Sequence, residues 1–155
     1  MKITSPQFTD NGWMPDSVSG YGEDLSPELM IYDIPEASVS LAIVMDDLDH
    51  PIISGFNHWL AWNIKPDGRI PSALPKGEIL ENPIHIEQGL GYGKHCYRGP
   101  KPPFNWNHRY RFTVFALDTM LELDQGSKKA ALVEAMEGHI LAEAELIGRY
   151  QRKHK

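Results

Sequence analysis

The chain has 155 residues, enough for one domain spanning residues 1–155 with a core that needs no disulfide bonds. It carries 15 Lys and Arg residues against 21 Asp and Glu, a net charge of −6, which argues against general binding to nucleic acid or to anionic membranes. The single cysteine, Cys96, cannot form an internal disulfide. No secretory leader and no membrane-spanning apolar run is visible, so we expect a soluble, cytoplasmic protein without membrane insertion.

Short segments with strand character alternate with dense turn signals up to about residue 107. Residues 38–45, 58–64 and 108–117 place apolar side chains at every second position, as expected of strands with one buried face. Residues 30–33 and 84–87 are weaker strand candidates. This part of the chain therefore predicts a mainly β fold.

The sequence pattern changes after Asp124. Ser127 is a candidate helix N-cap, and the basic segment from residue 149 onward suits the negative end of a helix. Gly138 lies inside the pattern and costs roughly 1 kcal/mol relative to alanine in a helix, so a kink or break there stays open. Apolar residues follow Ser127 at helical spacing and predict a C-terminal helical segment: Leu132, Met136, Ile140, Ala144 and Ile147.

Polar side chains that could carry chemistry gather at the ends of the predicted strands. Asp47 and Asp49 follow the first strand and share the parity of its apolar face. His58 opens the second strand, and His108 and Tyr110 are the first inward residues of the third. Strand ends at one rim of a sheet are natural places for a pocket. Because such aspartates often only form turns and such histidines are often structural, these residues alone leave both interpretations open.

The order of several short motifs resembles the phosphatidylethanolamine-binding protein family, which includes the Raf kinase inhibitor proteins, and in particular its bacterial and archaeal branch. The resemblance implies a mainly β fold of antiparallel sheets packed with a C-terminal helix, and a pocket for small anions such as phosphate and phosphorylated head groups. Residues 138–142 and 145–148 resemble the final helix of the family. The other motifs are GEDLSP at 22–27, DLDHP at 47–51, HW at 58–59, GPKPP at 99–103 and HRY at 108–110.

The resemblance also implies which residues form the pocket, with the 99–103 loop as its wall. Imidazolium and phenol groups are donors that suit a phosphoryl group, and glycine lets backbone amides approach a ligand closely. Asp47 would orient a histidine or accept the proton of a monohydrogen phosphate. The expected ligand-binding residues are Asp47, Asp49, His58, Gly99, Pro100, Pro102, Pro103, His108 and Tyr110.

Two departures from the family pattern bear on ligand size. Leu48 stands where the family usually has proline, and the residues after Pro103 replace a common glycine-containing turn. We expect Phe104 or Trp106 to cover the mouth of the pocket.

Two other functions stay open. A metal-dependent phosphohydrolase would draw its ligands from Asp47, Asp49, His50, His58 and His108, whose donor atoms suit Zn²⁺ or Mn²⁺. No compact ligand motif such as HExxH occurs, however, so we expect no metal, no cofactor and no enzymatic activity. An interaction protein that inhibits a kinase or a peptidase, as the resemblance implies for some members, would use the loop aromatics Trp13, Phe104 and Trp106. Two-fold dimers are the commonest assemblies, so a homodimer is the expected oligomer.

Overall fold

The computed structural model describes residues 1–152, and within them strands dominate. A short 3-10 turn occupies Asp16–Val18. The strands and the helix follow in chain order: β1 (Lys2–Thr4), β2 (Gly12–Trp13), β3 (Leu29–Tyr32), β4 (Ser40–Asp47), β5 (Phe56–Ile64), β6 (Arg69–Ile70), β7 (Ile79–Leu80), β8 (Ile86–Gln88), β9 (Asn107–Leu117), α1 (Lys129–Met136) and β10 (Ile140–Gln151).

The strands form a large and a small sheet. The large sheet has seven strands in the order β2-β10-β9-β4-β5-β8-β7, and the small one has the order β1-β3-β6. Neighbours pair antiparallel, except that β2 runs parallel to β10. The prediction of a mainly β fold with antiparallel sheets is confirmed, and each predicted strand lies within two residues of an observed one.

The large sheet is buried on both faces along β4, and this explains why every residue of that strand is buried. Leu41, Ile43 and Met45 point to the main core, which also contains side chains of the small sheet. Ala42 and Val44 point to a second, smaller core beneath α1. Because strand side chains alternate between faces, one continuous apolar run serves both cores.

The predicted C-terminal helix is confirmed for Lys129–Met136 and is wrong beyond it. Gly138 has a φ of +80°, a left-handed conformation that ends the helix. The following residues pair with β9 along the full length of β10, so Ile140, Ala144 and Ile147 lie in a strand and not in a helix. The segments that resemble the family's final helix lie in the turn at residues 138–139 and in the same strand. Pairing with a long buried strand outweighs the local helical pattern.

The start of the helix also differs from the prediction. Its N-cap is Lys128, and no side chain caps it. None of the helices in the described part of the chain is long and apolar enough to span a bilayer.

Candidate functional site

A cavity of about 250 Å³ opens where β4 ends and where β5 and β9 begin. The pairing of these strands sets Asp47 opposite Tyr110 on one side and opposite Phe56 on the other. Two loops complete the wall, one after β4 and one before β9. The lining residues are Asp47, His50, Pro51, Phe56, His58, Tyr92, Lys101, Pro102, Pro103, His108 and Tyr110.

Asp47 and His108 form a buried pair inside this cavity. The Nδ1 atom of His108 lies 2.8 Å from Oδ2 of Asp47, and both side chains are more than nine-tenths buried. Since an ionised carboxylate only accepts, Nδ1 carries the hydrogen and donates it. The other carboxylate oxygen, Oδ1, accepts the backbone N–H of Asp49 at 2.9 Å. Asp47 therefore fixes the orientation of the His108 ring.

His58 is held in the same way by a different acceptor. Its Nδ1 atom lies 2.7 Å from the backbone carbonyl oxygen of Arg98, which can only accept, so Nδ1 again donates. Burial lowers the pKa of His58 below its usual value, against the opposing effects of the Arg98 carbonyl and Asp47. Burial therefore favours the uncharged ring, whereas the sequence analysis expects an imidazolium donor at this position.

Tyr110 adds a hydroxyl donor to the cavity. The side chain is buried and packs edge-on against His58, with ring centroids 5.3 Å apart. Burial, with the Asp47 carboxylate as a second cause, raises the pKa of Tyr110 far above its usual range, so the phenol keeps its proton. Phe56 and Tyr92 pack edge-on around His58 and give the cavity an apolar wall.

Two ring nitrogens of the lining have no hydrogen-bond partner within residues 1–152, namely Nε2 of His58 and Nε2 of His108. Neither belongs to the polar atoms that are sealed from solvent without a partner. Since both rings line the cavity, these nitrogens are accessible from it. The hydroxyl oxygen of Tyr110 accepts from the backbone N–H of Lys101 and keeps its own hydrogen to donate.

The structure brings together six of the nine predicted pocket residues. Asp49, Gly99 and Pro100 do not line the cavity. The prediction that Asp49 shares the face of Asp47 is wrong, because β4 ends at Asp47 and the chain turns there. The Asp49 carboxylate instead accepts two hydrogen bonds from the guanidinium of Arg109, both at 2.9 Å, and Arg109 holds the pKa of Asp49 below its usual range.

Gly99 and Pro100 fix the proline-rich loop from behind. The N–H of Gly99 donates to Oδ1 of Asp24 at 2.7 Å, and the carbonyl oxygen of Pro100 accepts the N–H of Gly20 at 2.8 Å. A Cβ atom at position 99 would collide with the backbone carbonyl oxygen of Val18, so only glycine fits there. Asp24 belongs to the GEDLSP motif. This motif therefore supports the proline-rich loop and does not line the cavity.

Neither aromatic residue expected at the cavity mouth lines the cavity. The side chain of Phe104 is 72% exposed. The Trp106 ring stacks on the ring of His108, with ring centroids 6.3 Å apart. The cavity is therefore bordered by these residues rather than covered by them.

The sequence did not single out Phe56 or Tyr92 as lining residues. Lys101, which also lines the cavity, belongs to the 99–103 loop that was predicted as the pocket wall. Tyr92 lies in a glycine-rich turn with a φ of +54°, and no local pattern shows that this turn folds over β5.

Asp46 points away from the cavity, to the opposite face of the sheet. Its buried carboxylate accepts hydrogen bonds from Nζ of Lys129 at 2.7 Å and from Nδ2 of Asn57 at 3.2 Å, and the guanidinium of Arg111 lies 3.7 Å away. Because neighbouring strand residues face opposite sides, Asp46 anchors α1 while Asp47 serves the cavity.

Of the five candidate ligands of a phosphohydrolase metal, four line the cavity and Asp49 does not. Asp49 is paired with Arg109, and Nδ1 of His50 accepts the backbone N–H groups of Ile52 and Ile53. Across residues 1–152, no set of three or more His, Cys, Asp or Glu side chains is arranged to hold a metal ion.

The whole sequence and the fold are similar to those of known proteins. A UPF0098 protein of Pyrococcus horikoshii is 41% identical over 155 residues, covering 99% of this chain and 77% of the relative. A UPF0098 protein of Methanothermobacter thermautotrophicus is 40% identical over 160 residues, covering 98% and 99%.

Solved structures give the same result. A putative phosphatidylethanolamine-binding protein homologue from Chlamydia trachomatis superposes with a TM-score of 0.87 at 34% identity, covering 98% of this chain and 97% of that one. YbcL of Escherichia coli, described as a member of the mammalian family, superposes with a TM-score of 0.87 at 27% identity, covering 98% of each chain. Residues 4–151 match the family model described as phosphatidylethanolamine-binding protein. The chain belongs to the phosphatidylethanolamine-binding protein family.

Proposed function

We propose that the cavity binds a small phosphate-bearing anion, either inorganic phosphate or a phosphorylated head group, and does not transform it. The observation that carries this proposal is the convergence of Asp47, His58, His108 and Tyr110 in one open cavity. Within residues 1–152, Nε2 of His58 and Nε2 of His108 have no hydrogen-bond partner, and the Tyr110 hydroxyl keeps a hydrogen to donate. A phosphoryl group has several oxygens that could use these groups.

The charges around the cavity support an anion. Lys101 lines it, and the guanidinium of Arg98 lies 4.4 Å from the centroid of the Tyr92 ring on its wall. The Asp47 carboxylate already accepts hydrogen bonds on both oxygens, from Nδ1 of His108 and from the backbone N–H of Asp49. These cations make the cavity locally favourable for an anion although the chain carries a net charge of −6. A volume of about 250 Å³ suits a head group better than a whole lipid.

The lining offers little to catalyse a reaction. It contains no serine, threonine or cysteine that could act as a nucleophile. Cys96 does not line the cavity, and burial raises the pKa of its thiol, which disfavours the reactive thiolate. Binding is therefore the function that this set of side chains supports best.

The partners beyond a small anion stay predictions. Phe104 and Trp106 are exposed beside the cavity, which supports the predicted role of these aromatics in binding a protein target such as a kinase or a peptidase. The homodimer and the cytoplasmic location rest on the sequence arguments alone.

His108→Asn tests the anion proposal. Asparagine can still donate to Asp47 from the position of Nδ1, but it has no atom in the place of Nε2. We expect phosphate affinity, measured by calorimetry at about pH 6.5, to fall roughly ten- to 150-fold, the range of a lost charge-assisted hydrogen bond of about 1.5–3 kcal/mol.

The matched control is His139→Asn. His139 is half exposed, pairs with Asp118, and precedes the end of β10 that is distant from the cavity. Its substitution should leave phosphate affinity unchanged. Equal phosphate affinities for the wild type and the folded His108→Asn variant would place the anion elsewhere.

A further inference from the structure

The free ring nitrogens of the cavity carry lone pairs at neutral pH unless a ring takes up a second proton. Both Nδ1 atoms hold the hydrogen of the neutral ring, because the Arg98 carbonyl and the Asp47 carboxylate can only accept. Nε2 of an uncharged histidine is then an acceptor. The cavity therefore offers an acceptor as well as donors, and a ligand that only accepts does not complement it.

His58 is held by a neutral acceptor, whereas His108 is held by a charged one. The Nδ1 partner of His58 is the backbone carbonyl of Arg98, and that of His108 is the carboxylate of Asp47. Burial disfavours the charged form of His58 and lowers its pKa, so its free Nε2 remains an acceptor. The titratable and charged groups that surround His58 come from every element packed against it: Asp24, Asp47, His50, Tyr92, Arg98, Lys101, His108 and Tyr110.

We infer that His58 makes the cavity selective for a phosphoryl group that still carries one proton, with the P–O–H group donating to Nε2 of His58. This inference rests on the proposed function and adds the form of the ligand to it. The remaining phosphoryl oxygens accept from the hydroxyl of Tyr110 and from His108 when that ring is charged. Asp47 is less suited to accept the ligand proton, because each of its oxygens already accepts a hydrogen bond.

The inference separates phosphate from sulfate, which are similar in size and shape. Phosphate monoesters keep one proton up to about pH 6, and this proton can be donated. Sulfate carries no proton in the same range, so its oxygens would face the lone pair of His58 unpaired. A site built around a hydrogen bond strongly rejects an analogue that cannot make it.

The test is calorimetric titration of the wild-type protein with sodium phosphate and sodium sulfate at about pH 6. We expect phosphate to bind at least about tenfold more tightly than sulfate. Equal affinities for the two anions would overturn the inference and leave the proposed function intact. Absence of binding by both anions would overturn the inference together with the proposed function.

A second experiment tests whether the pH dependence of affinity comes from a proton on the ligand or from a proton on the protein. Methyl phosphate and methylphosphonate present the same three terminal oxygens, but methylphosphonate holds its second proton more strongly. If the ligand must bring a proton, the pH at which affinity is half lost moves upward for methylphosphonate. If only a histidine charge matters, the two ligands lose affinity at the same pH, and the inference is refuted.

His58→Gln provides the variant arm, with thermal unfolding as the check on folding. A glutamine amide can turn its NH₂ group toward the ligand and donate, so sulfate should gain affinity relative to phosphate. His139→Gln is the control and should keep the wild-type ratio. A phosphate-to-sulfate ratio that stays unchanged in folded His58→Gln would also contradict the role of His58.

Discussion

Each cavity histidine commits one ring nitrogen to the protein and leaves the other free. For His108 the partner is the buried carboxylate of Asp47, and for His58 it is the backbone carbonyl of Arg98. The first acceptor is an anion and the second is neutral, and burial lowers the pKa of His58. Two chemically identical side chains are therefore held in the same cavity by acceptors of different charge.

The lowered pKa of His58 predicts a loss of stability on acidification. Above about pH 6.5 the ring is neutral in both the folded and the unfolded chain and contributes nothing. Below that pH, His58 is protonated in the unfolded chain but not yet in the folded protein. The free energy of unfolding therefore falls with pH until the pKa of His58 in the folded protein is reached. We expect wild-type protein to lose more stability than His58→Gln between about pH 7.5 and pH 5, measured by urea unfolding.

His85 has the opposite effect on the pH dependence of stability, but it contributes equally to the wild type and to His58→Gln. A hydrogen bond to Glu81 raises the pKa of His85, so this pair favours the folded state as the pH falls. Because His85 is present in both proteins, the difference between their pH profiles belongs to position 58. Parallel profiles for the wild type and the variant would show that His58 is not kept neutral by folding.

The alternation of side chains along the predicted strands was enough to identify most of the cavity residues. It placed Asp47, His58 and Tyr110 on one side because strand parity is a local property. It failed for Asp49 because the end of β4 depends on a turn whose amide is held by Asp47. The Arg98 carbonyl and Tyr92 could not be predicted at all, since their positions depend on how a distant loop folds over β5.

At the scale of elements, β10 is where the sequence misled. Its apolar residues fit a period of 3.6, and basic residues follow, so the local pattern favours a helix. Yet β9 is long, buried along much of its length, and needs a hydrogen-bonding neighbour on the side away from β4. That demand arises only in the assembled sheet, and Gly138 marks the boundary between the two patterns.

A continuous helix and a helix that ends at Gly138 predict opposite effects of Gly138→Ala on the free energy of unfolding. In a continuous helix, alanine would stabilise the protein by roughly 1 kcal/mol relative to glycine. At the observed φ of +80°, alanine should instead destabilise it, by about 1 kcal/mol. Denaturant unfolding gives the sign directly.

The neighbouring Glu137→Ala variant is the control. Glu137 is exposed and has a φ of −58°, which alanine adopts freely. Its substitution should change the free energy of unfolding by no more than about 0.5 kcal/mol. Stabilisation by Gly138→Ala would mean that α1 continues toward residue 140.

At the scale of the whole molecule, the two faces of the large sheet have separate tasks. The inner face carries the main core and, at one end, the cavity, whereas the outer face carries α1. Tyr110 belongs to the main core, and Leu132 of α1 belongs to the second. Stability contributed by the helix should therefore be separable from binding in the cavity.

Leu132→Ala tests this separation. The side chain is fully buried, so we expect a loss of about 2–5 kcal/mol in the free energy of unfolding. Phosphate affinity of the folded fraction should remain within about twofold of wild type, because distant sites act independently. The measurement pairs urea unfolding with calorimetry well below the melting temperature.

Val133→Ala is the matched control on the exposed side of α1. Val133 is 43% exposed, so its substitution should change the free energy of unfolding by no more than about 0.5 kcal/mol. A large drop in phosphate affinity for Leu132→Ala, with folding intact, would show that the two faces are coupled through the sheet.

Asp46 and Asp47 are chemically identical, and they differ in role only because neighbouring residues of β4 face opposite sides of the sheet. Asp46 anchors the helix through Lys129, and Asp47 holds the ring of His108. Inserting or deleting one residue in β4 ahead of this pair would move each aspartate to the opposite face of the sheet. Each carboxylate would then lie among side chains that do not pair with it. Natural insertions and deletions in this region should therefore concentrate beyond Asp47, in the loop, where the count no longer matters.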